Sequence, residues 1–356
     1  MHRIDSFLYQ KERSLGAKIL LSPLTLLSIP YGWVLRLRFF LYSLGFFKIK
    51  HLACPVISVG NMTVGGTGKT PLVMTLTKGL ADHGIRVAIL SRGYKRKKTS
   101  GTIVSDGQTL LLSPEESGDE PFLMAEKLKG IPILVGKDRF GNGEIALQRF
   151  GVDGLLLDDG YQHLSLHRDL NILLVDSQIG FGDAHLLPRG ILREPLSHLQ
   201  RADLILLTKV DYPETCQPLE ERIHQLHPSA RVFHSHYEPQ GLVGPEGEWE
   251  DLFSFKGKKV LALSGIADPS SFFSLLIKCG MEIVKKATFP DHHFYTRKDL
   301  SFIEKERKGT DWVVTTEKDM VKLKSLNIGR LPFRALRVAI KIWEEEEFYK
   351  KVREVF

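Results

Sequence analysis

Beyond residue 50 the chain alternates short apolar runs with longer amphipathic stretches. Val56–Val59, Val87–Leu90, Ile131–Val135, Gly154–Leu157, Ile172–Val175 and Leu204–Leu207 are short runs rich in branched aliphatics, and such runs predict strands buried on both faces. Helical spacing over Pro71–His83 and Arg139–Phe150 falls between several of them, the order expected when crossover helices join parallel strands. From Asp211 to Lys258 the sequence turns more polar, with several Pro and Gly, and predicts a helix plus a connection. Apolar runs resume at Lys259–Ile266, Glu282–Thr288 and Trp312–Thr315, around a helical pattern near Ser270–Cys279. The pattern therefore predicts an α/β chain. A mostly parallel sheet with flanking helices covers residues 51–215, a connecting segment 216–258, and a smaller C-terminal α/β domain 259–356.

Residues 1–50 follow a different pattern. Ile19–Leu35 carries no charge over 17 residues, is interrupted by Pro23 and Pro30, and is followed by Arg36, Arg38 and a second apolar patch, Phe39–Phe47. A spanning helix needs roughly 20 apolar residues. The segment thus predicts helices lying in a membrane interface, with Tyr31, Trp33 and Tyr42 at headgroup depth. A buried hairpin capping the core is the alternative. Charge supports the first reading. The net charge is +7, and residues 1–50 hold eight basic side chains (Arg3, Lys11, Arg13, Lys18, Arg36, Arg38, Lys48, Lys50) against Asp5 and Glu12. Basic residues among Leu, Phe, Tyr and Trp suit an anionic lipid surface better than nucleic acid. The basic run Lys95–Lys98 reads as a solvated loop without aromatic stacking platforms, and no nucleic-acid partner is expected. Cys54, Cys216 and Cys279 are far apart and odd in number, so neither disulfides nor a zinc site is expected, and a reducing cytosol is the simplest compartment.

The candidate chemistry starts at residues 56–70, VISVGNMTVGGTGKT. A strand runs into glycines, then Gly68-Lys69-Thr70, then a helix with Pro71 in its first turn, the setting of a Walker-type phosphate loop. Thr63, Val64, Gly65, Gly66, Thr67, Gly68, Lys69 and Thr70 are the expected nucleotide-binding residues. Glycine lets the backbone approach phosphate, Lys69 would reach the β- and γ-phosphates, and Thr70 would ligate Mg²⁺. The general pattern asks for glycine at position 63, where this chain has Thr63. A second element, VDGLLLDDGYQH at 152–163, ends an apolar run in two carboxylates; Asp158 is the expected metal ligand, with Asp159 beside it. Taken alone, the loop also suits an ordinary glycine-rich turn, and the acidic pair a solvated one.

Further stretches narrow the reading: LSRGYKR at 90–96, GDEP at 118–121, LLDDGYQH at 156–163, LLPRGILREP at 186–195, SGIADPSSF at 264–272, FPDHHFYT at 289–296 and TTEKDMVKL at 315–323. With SVGNMTVGGTGKTP at 58–71 they stand in the order in which the tetraacyldisaccharide 4′-kinase family carries them, and the chain resembles that family from the loop almost to its C-terminus. Thr63 looks normal for such a chain. The resemblance implies a P-loop NTPase-like fold and a kinase that uses MgATP to phosphorylate the 4′-hydroxyl of a tetraacyldisaccharide 1-phosphate, a lipid A precursor. It would work at the cytoplasmic face of the inner membrane, with no obligate protein partner evident.

By the same resemblance Asp119 would accept the proton and His292 would be its partner. A helix N-cap is the other reading of Asp119. The two lie in different expected domains, so closure between domains would have to join them. Arg139 and Arg193 are candidates for stabilising charge on the transferred group, with Lys69. Asn61, Arg92, Tyr94, Glu120, Asp159 and Gln162 are candidates for substrate contact, Asn61 equally for a turn. Thr315–Asp319 has no assigned role.

Three other readings share parts of this pattern. A GTPase-like switch would read guanine with Thr208-Lys209-Val210-Asp211. A nucleic-acid ATPase would use the basic charge. A membrane adaptor with a degenerate loop is opposed by the intact Lys69, Thr70 and Asp158.

Overall fold

The apolar runs fold as strands: β1 (Val56–Asn61), β2 (Val87–Ser91), β3 (Ile103–Asp106), β4 (Pro132–Val135), β5 (Gly154–Asp158), β6 (Leu170–Asp176) and β7 (Leu204–Thr208). There follow β8 (Arg231–Val243), β9 (Trp249–Glu250), β10 (Lys259–Ser264), β11 (Glu282–Thr288), β12 (Trp312–Thr316) and β13 (Phe333–Ile342). The helices are α1 (Ser22–Ser43), α2 (Lys69–Asp82), α3 (Pro114–Ser117), α4 (Asp119–Lys127), α5 (Arg139–Phe150) and α6 (Gln217–Leu226). Later come α7 (Pro269–Lys278), α8 (Arg297–Glu306), α9 (Glu317–Lys324) and α10 (Glu345–Arg353). The structure, a computed structural model, describes residues 16, 21–94, 96, 101–326, 328 and 331–356. The charges expected at Arg3, Asp5, Lys11, Glu12, Arg13 and Lys18, and the lysines of the 95–98 run, lie outside the described residues.

Contacts divide the chain into two units. The first comprises Met1–Ser91, Asp138–His236 and Lys341–Phe356; the second comprises Arg92–Lys137 and Tyr237–Ile340. The first unit holds a sheet in the order β8-β7-β6-β1-β5-β2, with every neighbouring pair parallel. β1, β2, β5, β6 and β7 are buried along their whole length, as continuous aliphatic runs require in a sheet covered on both faces. α10 closes this unit from the other end of the chain. Tyr349 Oη donates to Thr75 O of α2 at 3.1 Å, over Gly79, where a Cβ would collide with the tyrosine ring.

In the second unit β11-β10-β12-β13 are parallel neighbours, and β3 and β4 pair antiparallel. α4 and α9 pack together and are cross-linked by Lys127–Glu317 and by Lys324 to Glu126 at 3.0 Å.

Three expectations need correction. First, residues 92–137 belong with the C-terminal half rather than with the phosphate loop, because α4 finds its packing partner in α9. Second, the polar stretch read as a connection contains β8, a 13-residue strand. His234, His236, Pro239 and Gly241 break its apolar pattern, yet its first half pairs with β7 through Leu204↔Arg231 to Leu207↔His234. Third, Pro30 does not break the N-terminal segment: α1 runs unbroken for 22 residues. Pro23 sits in the first turn, where no backbone donor is needed, and Pro30 removes one donor from a helix long enough to keep its other bonds.

Among the described residues, α1 is fastened to the rest of the first unit through Thr25, Tyr31 and Phe39. Arg189 Nε donates to Thr25 Oγ1 at 3.1 Å, Tyr31 Oη to Arg193 O at 3.0 Å, and the Phe39 ring lies 4.7 Å from His198. Tyr31 therefore points into the protein. Leu26, Ile29, Trp33, Val34, Leu37 and Phe40 are exposed, Trp33 by 70%.

Candidate active site

The phosphate loop owes its shape to its glycines. Gly65 has φ 114° and Gly68 φ 87°, conformations costly for any residue with a Cβ, and Gly68 is the N-cap of α2. The first backbone N–H groups of α2 thus stand at the end of a glycine-lined turn, an arrangement suited to anions. The start of the loop, just past β1, is held by the 191–193 segment: Val64 N donates to Ile191 O at 2.9 Å and Arg193 N to Met62 O at 2.7 Å. This pairing delivers Arg193 to the loop.

Four side chains converge there. Arg193 Nη1 and Nη2 fork onto Asp159 Oδ1 and Oδ2 at 2.9 and 3.2 Å, and Arg193 Nη1 also donates to Asn61 Oδ1 at 3.1 Å. Lys69 Nζ donates to Asn61 Oδ1 at 3.2 Å and lies 3.7 Å from Asp159 Oδ1. Burial by itself would raise the Asp159 carboxyl; Lys69, Arg193 and Arg139 outweigh it and hold the group down to about 2. Asp159 adopts φ 52°, a left-handed turn that sends it away from Asp158. Asp158 is buried at the end of β5, level with Val59 of β1, and its Oδ2 accepts from Ser91 Oγ at 3.0 Å. Thr70 lies half-buried in the first turn of α2.

Other candidates in this unit lie around this cluster, and Asn61 makes a further bond. Asn61 is fully buried and also donates to Thr63 O at 2.8 Å, which is its turn-fitting alternative. Gln162 donates to Asn61 O at 2.8 Å. Arg139 is buried beneath the acidic turn and donates to Asp158 O at 3.0 Å. Burial, with Arg139, Arg168 and Arg38 nearby, pushes His163 down to about 4, so it stands neutral beside the turn. Lys209 of the guanine-reading motif is buried and ion-paired to Asp176.

The second unit carries its own cluster, and Asp119 is its centre. Gly118 caps α4, so Asp119 is the first helical residue rather than the cap. Its two carboxylate oxygens lie 3.1 and 3.0 Å from His292 Nδ1. Asp119 and His292 therefore meet inside one unit, and no closure between domains is needed to join them. His292 has φ 59°, a strained turn within 289–296 that aims the ring at α4. Burial opposes ionisation of Asp119, but the hydrogen bond from His292 and the charges of Lys318, His292 and Lys322 bring it down to about 2. Glu120 receives Lys318 Nζ at 3.0 Å. The Tyr94 ring is 5.3 Å from His292 and more than half exposed, and Arg92 is exposed. Tyr94, Gly118, Asp119, His292, Phe294 and Lys322 line a cavity of about 190 Å³.

Four contributors had no assigned role in the sequence: Ser91, Asp291, Lys318 and Lys322. Ser91 lies in LSRGYKR, Asp291 in FPDHHFYT, and both lysines in TTEKDMVKL, so each was inside a recognised stretch without a residue-level signal. Among the described residues no three His, Cys, Asp or Glu side chains gather as a metal cage. One buried carboxylate, one hydroxyl and a phosphate-binding turn suit Mg²⁺, which keeps waters and takes phosphate oxygens as ligands.

The family model for tetraacyldisaccharide-1-P 4′-kinase (LpxK) matches residues 17–356. A tetraacyldisaccharide 4′-kinase of Desulfatibacillum aliphaticivorans is 42% identical over 330 residues, covering 91% of this chain and 90% of that protein. One from Geobacter sulfurreducens is 42% identical over 326 residues, with 90% and 89% covered. The crystal structure of LpxK from Aquifex aeolicus in complex with ATP is similar with a TM-score of 0.76 and 36% identity, covering 95% of this chain and 99% of that one.

Proposed function

We propose residue roles from one premise: the chain belongs to the tetraacyldisaccharide-1-P 4′-kinase family. It is a phosphotransferase of lipid A biosynthesis that uses ATP and Mg²⁺. The first unit takes the nucleotide. The turn 63–70 and the start of α2 receive the phosphates, Lys69 and Arg193 neutralise charge on the transferred group, and Asp159 with Asn61 keeps those two cations together. Thr70 and Asp158 would hold Mg²⁺, which supplies charge neutralisation when bound. Ser91 and Arg139 orient Asp158 and its backbone.

The second unit takes the acceptor. The Asp119 carboxylate accepts a hydrogen bond from the 4′-hydroxyl of the tetraacyldisaccharide 1-phosphate. It takes that proton as the new P–O bond forms and the β–γ bridging bond breaks, releasing ADP. Held near 2, Asp119 is a weak base. A loose transition state asks for the proton only late, so a well-placed weak base suffices. His292 orients the carboxylate through Nδ1–H, and Tyr94 offers an exposed ring to the sugar face.

The exposed face of α1, with Trp33 and Phe40, rests on an anionic bilayer surface at the cytoplasmic face of the inner membrane, where the acylated substrate resides. The observation that carries the acceptor assignment is the Asp119–His292 contact at 3.0 Å beside a cavity lined by aromatic groups. Its test is ATP-dependent phosphate transfer to purified disaccharide 1-phosphate. Transfer is expected with the native chain and absent with Lys69→Ala; a native chain that transfers no phosphate to this lipid would end the reading.

A further inference from the structure

TTEKDMVKL at 315–323 has no role assigned from the sequence, and the structure places its helix against the Asp119 cluster. Thr316 Oγ1 accepts from Asp319 N at 3.1 Å and caps α9. Asp319 is wholly buried, and its Oδ2 accepts from Gly265 N and from Thr316 Oγ1, both at 2.8 Å. Its Oδ1 lies 2.9 Å from Lys322 Nζ. This anchoring fixes the rotation of α9 about its axis. Lys318 and Lys322, four residues apart, then share the face turned to α4.

Their contacts differ. Lys322 is committed to Asp319 and lies over the Tyr295 ring, with Asp119 Oδ2 at 3.9 Å. Lys318 reaches four groups: Glu120 at 3.0 Å, Asp291 at 3.2 Å, His292 Nε2 at 3.4 Å and Asp119 at 3.9 Å. An ammonium group has hydrogens to give and no lone pair. A carboxylate has lone pairs and no hydrogen. His292 stands between the two kinds: Nδ1 is on Asp119, and Nε2 lies 3.4 Å from Lys318 Nζ, within hydrogen-bond reach, whereas the Asp291 carboxylate stays 3.7 Å from Nε2, beyond it. Only one neutral tautomer satisfies both neighbours: Nδ1 carries the hydrogen and Nε2 keeps its lone pair.

We propose that Lys318 is a positioning residue for phosphoryl transfer: it selects the His292 tautomer that donates from Nδ1 to Asp119, and so keeps the Asp119 carboxylate pointed at the acceptor hydroxyl. The inference rests on the reading of Asp119 and His292 as the acceptor pair. Lys318 keeps its own proton throughout. Burial opposes its charge, but Glu120, Asp119 and Asp291 hold its pKa well above the ordinary amine range. The other ionisable groups around the pair are Lys322, Asp319, Glu115, Tyr94 and Tyr295.

The test uses the full chain with Lys318→Met, Lys318→Gln and Lys318→Arg. Lys324→Met is the control: Lys324 bridges the same two helices through Glu126 but touches neither Asp119 nor His292. Three readouts are taken: kcat and ATP KM against pH, melting temperature, and ¹⁵N NMR of the His292 ring, identified by its loss in His292→Gln. Lys318→Met is expected to lower kcat about 100-fold with ATP KM unchanged. The acidic limb of kcat should move to higher pH, because Asp119 loses a cation. The His292 nitrogens should leave the single Nδ1–H pattern, Lys318→Arg should recover most of the rate, and Lys324→Met should keep it. Lys318→Gln gives the same NMR reading if the methionine variant does not fold.

Equal losses in Lys318→Met and Lys324→Met would reduce Lys318 to helix packing. An unchanged His292 nitrogen pattern in the Lys318 variants, with Asp119→Asn inactive, would remove the Lys318 role alone. An Asp119→Asn chain with undiminished kcat would remove the underlying acceptor reading, and the Lys318 role with it.

Discussion

Asp159 in the first unit and Asp119 in the second are both brought down to about 2, but by groups of different kinds. Asp159 is gripped by a forked guanidinium and faced by an ammonium. Guanidinium keeps its charge at any working pH. Asp119 is gripped by an imidazole, with Lys318 and Lys322 at 3.9 Å behind it. A neutral imidazole donates from one ring nitrogen and accepts at the other. The difference fits the two halves of a phosphoryl transfer. Where phosphate charge is to be neutralised, the protein supplies fixed positive charge. On the proposed roles, a carboxylate oriented by an imidazole stands where a hydroxyl would lose its proton.

The contrast can be broken most severely at the fixed charge. Lys69→Ala should lower kcat/KM for ATP about 1,000-fold and weaken ATP binding measured by calorimetry. Asp119→Ala should separate the two clusters: kcat falls about 100-fold while the ATP dissociation constant stays as in the native chain. A parallel loss of ATP affinity would mean that the clusters do not divide the reaction as described.

Acid unfolding sharpens the contrast further. The Asp119 carboxyl is depressed from 3.8 to about 2, so its stabilisation is fully present above about pH 4 and is lost as pH falls toward 2. Asp119→Asn should therefore flatten the decline of the urea midpoint between those limits, by on the order of 2 kcal/mol of stability. The smallest effect is expected at the edge of the first cluster. Tyr31→Phe removes one hydrogen bond to Arg193 O, worth about 1 kcal/mol, and should lower kcat a few-fold without changing the pH profile.

Much of this was legible before any coordinates. β1, β2, β4, β5, β6, β7 and β10 are near-continuous aliphatic runs, and burial on both faces leaves that mark in the letters. β8 left no such mark, because its length is punctuated by histidines, Pro239 and Gly241. The Pro30 position misled for the opposite reason: a local rule about helix breaking lost to the remaining hydrogen bonds of a long helix. The phosphate loop and acidic turn were readable because strand, turn and helix signals adjoin. The pairing of Asp119 with His292 was reachable only through family resemblance, since the two are 173 positions apart and the packing of α4 on α9 had no pattern of its own. Lys318 was beyond both routes. Its contacts depend on how Asp319 sets the rotation of one short helix.

α10 contributes one more consequence. It belongs to the unit that carries the phosphate loop, and its Tyr349 rests on the helix that follows that loop. A ribosome releases this loop early and α10 nearly three hundred residues later. The nascent chain thus holds a loop whose supporting helix lacks its final buttress until translation reaches residue 353. The helix after the phosphate loop therefore gains this contact late in synthesis, after the intervening unit has emerged.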